Sequence, residues 1–282
     1  MNRQDAVSDT GNSIIAPLLR AVYILIAVVV VAGASLFFVP GLIGPRWPWP
    51  LTPFNTSFLG AVYIVELVAM VITIVSNRWS PTRLVLPISF TFAIVVTGVS
   101  LFYLGRFDAQ RWTTYAWFVL YLVPIAVFAY YLWLYRDQPP AETVPVPAAW
   151  RTYFMVEGVV YGLYGLGLLA LPDTFSAFWP WKIDDFHARL YSAIFICLVV
   201  GILTLVRAAS SLELITMGLA KVVLAVFSIL GLIVVDASAH RVDWSAPGTW
   251  LWIAGLGVLL VAGLGMVRLA TQLQTRPALE PA

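Results

Sequence analysis

Three ionisable side chains, Glu66, Glu157 and Lys221, stand inside stretches that are otherwise apolar. A charge at the centre of a membrane helix costs roughly 2.5 to 3.5 kcal/mol on insertion scales, so each implies a partner, a pathway or a role. Glu66 follows the start of its apolar stretch at 57 by nine residues, and Lys221 follows the start of its own at 212 by nine. At 1.5 Å per residue both lie about 14 Å deep, near the midplane, and the matched depths predict a Glu66–Lys221 pair. Glu157, six residues beyond 151, lies about 9 Å in by the same rise, shallow enough to meet water. Helical spacing puts Tyr153, Glu157, Tyr161 and Tyr164 on one stripe, a line of hydroxyls able to hydrogen-bond a buried carboxyl. Around Lys221 the stripe Gly218, Ala225 and Ser228 is small, as is Ser89, Ala93, Thr97 and Ser100, and small faces let helices approach closely. Glu66, Lys221, Glu157 and Tyr161 are therefore the candidate binding or pathway residues. The alternative is a structural ion pair that only fixes how helices dock.

A second group of ionisable residues is Asp184, Asp185, His187 and Arg189, just after Trp179-Pro180-Trp181. An earlier segment, Trp47-Pro48-Trp49, carries Thr52, Pro53, Asn55 and Ser57 at the corresponding places. Indoles favour the headgroup zone and prolines start helices, so one reading is an aromatic belt with Thr52, Asp184 or Asp185 as caps. The other is a platform for a lipid headgroup or a partner, with the extracytoplasmic polar cluster as its specialised copy. A metal or catalytic site is a poor fit, because no second cluster matches it and His240 is the only other histidine. No metal and no cofactor is called for.

The elements that must position these residues follow from composition. With 61% hydrophobic and 11% charged residues, the chain of 282 has too little polar surface for a water-soluble globule. It reads as an integral membrane protein in contact with a lipid bilayer. A net charge of +2 with scattered basic residues gives no nucleic-acid footprint. The lone Cys197 excludes an internal disulfide and reads as a buried thiol. Residues 1 to 12 are polar with both charge signs and precede an apolar stretch too long for a cleaved leader.

Crossing roughly 30 Å of hydrocarbon takes about 20 helical residues. Eight stretches qualify, at about 15 to 39, 57 to 76, 84 to 105, 113 to 135, 151 to 171, 188 to 207, 212 to 235 and 248 to 268. Unbroken runs of this length exclude a barrel and predict an all-α fold. Shifting the chain by 132 residues lays Trp47-Pro48-Trp49 on Trp179-Pro180-Trp181, Gly33 on Gly165, Pro40 on Pro172, Phe54 on Phe186 and Arg136 on Arg268 without a gap. The reading is a duplication: a four-helix repeat over 1–136, a proline-rich linker over 137–149 and a second four-helix repeat over 150–282. Because four is even, the repeats are parallel and related by a pseudo-twofold along the membrane normal. Cytoplasmic termini put nine arginines inside and six basic residues outside, which sets a multi-pass orientation in the cell membrane. Pro124 inside the fourth span predicts a kink, and Gly158-x-x-x-Gly162 predicts tight helix contact.

Residues 47 to 61, WPWPLTPFNTSFLGA, resemble a WPWxLTP-type motif of uncharacterised bacterial polytopic membrane proteins. Residues 179 to 193 echo it, with Lys182 and Asp185 where prolines stand in the first copy. The resemblance carries no activity, ligand or catalytic residue. P-loop, TVGYG, HExxH and GxSxG signatures are absent. The first functional reading is a transporter-like or permease-like protein with its polar site between the repeats. A non-catalytic subunit or scaffold, binding another membrane protein or a second copy of itself, comes second. A membrane enzyme acting on lipid-like substrates through Asp184, Asp185, His187 and Arg189 comes third.

Overall fold

The computed structural model describes residues 15–138 and 143–274. Eight long helices account for most of them: α1 (Pro17–Phe38), α2 (Pro53–Ser76), α3 (Trp79–Phe102), α4 (Trp112–Leu134), α5 (Ala148–Ala170), α6 (Asp185–Arg207), α7 (Ser211–Ala239) and α8 (Pro247–Gln274). All eight are long and apolar enough to cross a membrane, so the chain is an all-helical, multi-pass integral membrane protein. The polar first dozen residues, Pro139, Pro140 and Arg276 lie outside the described residues.

Several helices start before their apolar run does. α2 opens at Pro53, whose fixed φ suits the first turn, with the Thr52 hydroxyl accepting from the Asn55 amide. α6 opens the same way at Asp185, with Asp184 accepting from the His187 amide. α7 opens with a capping box in which Ser210 and Glu213 each accept from the other's amide. α3 opens at Trp79, five residues ahead of the expected 84, because its first turn is buried against the second half of the chain. There Arg83 donates two 2.7 Å hydrogen bonds to the Glu213 carboxylate and one to the Ala208 carbonyl, and the Ser80 and Ser210 hydroxyls meet. Hydropathy marks the hydrocarbon, whereas a helix ends where its backbone finds caps.

α2, α3, α6 and α7 form the centre of the bundle. α2 packs along α7 and α3 along α6, while α1, α4, α5 and α8 flank them and expose their Leu, Val and Ile faces. Close packing needs glycine in places: a Cβ on Gly33 would stand 2.4 Å from the Tyr63 ring, and one on Gly231 would stand 2.2 Å from the Ser57 hydroxyl. One continuous core runs from Ile15 to Leu259, so residues of the first four helices and the last four bury one another. Beside the short turn after α6, Val144 bridges to Ala209 and ties the segment after α4 to the α6–α7 turn.

The Trp-Pro-Trp segments are not a headgroup-facing rim. Trp47, Trp49, Trp179 and Trp181 are all buried, the last two packing on Trp252 and Phe58. Two of the indoles find acceptors in the opposite half of the chain. Trp49 donates to His187 Nε2 at 3.1 Å, and Trp181 donates to Asn55 Oδ1 at 3.0 Å. The exposed aromatics that suit an interfacial belt are Trp112, Tyr115, Trp244 and Trp250 beside these loops, and Tyr130 and Trp133 at the far end.

Candidate functional site

The partner of Lys221 is Glu157, not Glu66. Lys221 Nζ donates to Glu157 Oε1 at 2.6 Å and also to Oε2, and the two side chains are 1% and 7% exposed as residues. α5 begins at Ala148, three residues before the expected 151, which carries Glu157 deeper than the hydropathy suggests. Counted from the end that both termini share, Glu157 is nine residues into α5, Lys221 ten into α7 and Glu66 ten from the close of α2. At 1.5 Å per residue all three sit about 14 to 15 Å along, so depth does not choose between the two carboxylates and lateral placement does.

Tyrosine hydroxyls complete the pair. Tyr153 donates to Glu157 Oε1 at 2.8 Å and Tyr161 donates to the same oxygen at 3.0 Å, so the stripe one helical turn either side of Glu157 works as expected. The Lys221 ammonium also lies 5.6 Å from the centre of the Tyr153 ring, an added cation–π attraction. Tyr164 leaves the stripe, donating to the Phe175 carbonyl and accepting from the Trp179 indole. Glu157 thus has three donors and Lys221 a full counter-charge.

Glu66 has no hydrogen-bond or ion-pair partner among the described residues. It lines a partly open cavity of about 110 Å³ between α2, α3, α6 and α7, whose polar lining residues are Glu66, Ser89, Cys197, Thr216 and Lys221. The rest of the wall is aliphatic or aromatic. Glu66 and Lys221 therefore share a chamber without forming a pair. An apolar cavity of about 150 Å³ holds benzene, so this one suits a small solute or a few waters.

The polar cluster at the Trp-Pro-Trp end is internally saturated. His187, 3% exposed, bonds Asp184 through Nδ1 at 2.7 Å and accepts from Trp49 at Nε2. An indole N–H only donates, so Nε2 is the acceptor in this contact while Nδ1 faces Asp184. Burial pushes Asp184 up, but the His187 hydrogen bonds and Arg106 outweigh it and hold the carboxyl at about 2. Arg189 donates to the Leu169 carbonyl, to Tyr103 and to Asp185. Neither nitrogen of His187 is left to take a proton from a substrate, and among the described residues no three His, Cys, Asp or Glu side chains gather as a metal site.

The sequence reading missed Arg83 and Glu213, the second buried ion pair. Arg83 was counted only among the loop arginines, and Glu213, second in the predicted stretch 212 to 235, drew no reading. The signal that reveals Glu213 is the Ser210-x-x-Glu213 spacing of a capping box, which puts the carboxylate inside the first turn.

No known family, curated protein or solved structure matches this chain.

Proposed function

We propose that this chain is a transporter-like membrane protein whose solute site is the chamber between α2, α3, α6 and α7. The carrying observation is that an unpartnered carboxylate and a lysine line one cavity at mid-depth between the two halves. Binding sites of secondary transporters form at such repeat interfaces. The chamber's size limits the captured solute to a few heavy atoms.

In this reading the halves, 1–136 and 150–282, are parallel repeats joined by the linker 137–149 and related by a pseudo-twofold along the membrane normal. Helix starts at 53 and 185 and at 79 and 211 support it, each pair 132 apart, as do the caps Thr52 and Asp184. So does the reciprocity of the contacts. Trp49 bonds His187 while Trp181, 132 on from Trp49, bonds Asn55, 132 back from His187. Likewise α2 of one half lies on α7 of the other, as α6 lies on α3. The arginine excess supports cytoplasmic termini in the cell membrane.

A non-catalytic scaffold is the second reading, favoured by one fact: Glu157 and Lys221 are so fully satisfied that they would serve as a docking pair alone. Cys197 separates the two readings. It is the chain's only cysteine and lines the chamber. A transporter must open that chamber to water, so the small cationic thiol reagent aminoethyl methanethiosulfonate should modify Cys197 in native membranes, with Cys197→Ala as control. No modification before denaturation would reject the transporter reading and leave the scaffold.

A further inference from the structure

We infer that Glu66 is a proton-exchanging site, protonated and released during the working cycle, on the shared wall of two cavities. The first observation is a charge ledger. The chamber region holds two carboxylates and one ammonium, and Glu157 takes the whole of the ammonium. Glu66 keeps no counter-charge and no hydrogen bond from the described residues. A carboxylate in that position is costly in an apolar interior, and a proton is the smallest species that removes the cost.

The second observation is access. Besides the central chamber, Glu66 lines a cavity of about 20 Å³ between α1, α2, α3 and α4, room for about one water. The Tyr63 and Tyr121 hydroxyls, 3.2 Å apart and bonded to each other, lie on it, and so does Ser89. Pro124 lies there too and has no N–H for the carbonyl of Leu120 four residues back, so that carbonyl keeps an open acceptor beside the same cavity. Pro124, Leu120 and Tyr63 also line a largely apolar cleft of about 620 Å³ between α1 and α4 that extends to Arg46, Trp47 and Pro48. Glu66 thus stands on the wall of two cavities at once, the small one that carries the tyrosine pair and the chamber that Lys221 also lines. The titratable groups lining the chamber and the small cavity are Tyr63 of α2, Tyr121 of α4, Cys197 of α6 and Lys221 of α7; α1 and α3 contribute none.

The step is a proton transfer alone: an O–H bond of a hydronium breaks as one forms on a Glu66 carboxylate oxygen, and the reverse step returns the proton to water. Its purpose rests on the transporter-like reading, but its test does not. Infrared spectra of protein in lipid, taken across a pH series and in heavy water, resolve the C=O stretch of a buried protonated carboxyl. The expected result is a band that shifts in heavy water and fades reversibly as pH rises. It should be absent in Glu66→Gln and retained in Glu157→Gln. Should Glu66→Gln fail to fold, Glu66→Asp should move the band rather than remove it. An identical spectrum in wild type and Glu66→Gln would overturn the inference, as would a band that neither exchanges nor titrates. A titrating Glu66 together with a Cys197 that no reagent reaches would sink the transporter reading alone.

Discussion

Removing Glu157 and removing Lys221 should not cost the same. Lys221→Leu strands a carboxylate that still accepts from Tyr153 and Tyr161, whereas Glu157→Leu strands an ammonium with only the Tyr153 ring face nearby and also orphans two hydroxyls. A buried charge left without its partner costs about 3 to 5 kcal/mol, which sets the scale for either single variant. Each orphaned hydroxyl adds about 1 kcal/mol or more, so Glu157→Leu should be the worse by about 1 to 3 kcal/mol. With both replaced by leucine the charges vanish together, and much of the loss should return. Equilibrium unfolding of detergent-purified protein by SDS titration, run on wild type, both singles and the double, closes the cycle. A coupling energy within about 0.5 kcal/mol of zero is what independent sites give and would refute the pair. Glu66→Leu supplies the contrast: Glu66 bonds no described residue, so its removal should be near neutral or stabilising and additive with Lys221→Leu.

Three further outcomes follow from the packing and the caps. Gly33→Ala and Gly231→Ala push a methyl against Tyr63 and Ser57 and should each lose about 1 to 3 kcal/mol, while Gly98→Ala, with open space around it, should not, by the same SDS titration. Arg83→Lys keeps the charge but cannot reproduce the two-pronged bond to Glu213, so it should destabilise by about 1 to 3 kcal/mol; parity with wild type would count against that geometry. Asp184 titrates lower when folded, at about 2 against an ordinary 3.8, so the stability it adds is complete above about pH 4 and is withdrawn as pH falls toward 2. Asp184→Asn should flatten the acid limb of a thermal-stability profile across that window, and an unchanged profile would show that the His187 bonds do not hold the carboxyl down.

Composition and run length alone determined the class of this protein: eight apolar stretches in a chain with so few charges leave only a helical membrane bundle. The caps Thr52 and Asp184 were legible as well, because each acts within a few residues of sequence, and the overlooked Ser210–Glu213 box is local in the same way. The Tyr153–Glu157–Tyr161 stripe was legible for the same reason, since one helix turn brings its members together. Which carboxylate Lys221 meets was not. Glu66 and Glu157 lie at matching depth, and only the lateral arrangement of α2, α5 and α7 sends Lys221 to one and leaves the other in the chamber. The Trp-Pro-Trp segments mislead in the same way. Indole chemistry suits both a headgroup belt and a buried hydrogen bond, and the acceptors that decide, Asn55 and His187, stand more than 120 residues away in the chain. Local chemistry reads along one helix, whereas contacts between helices depend on how the helices are arranged, which no local spacing records.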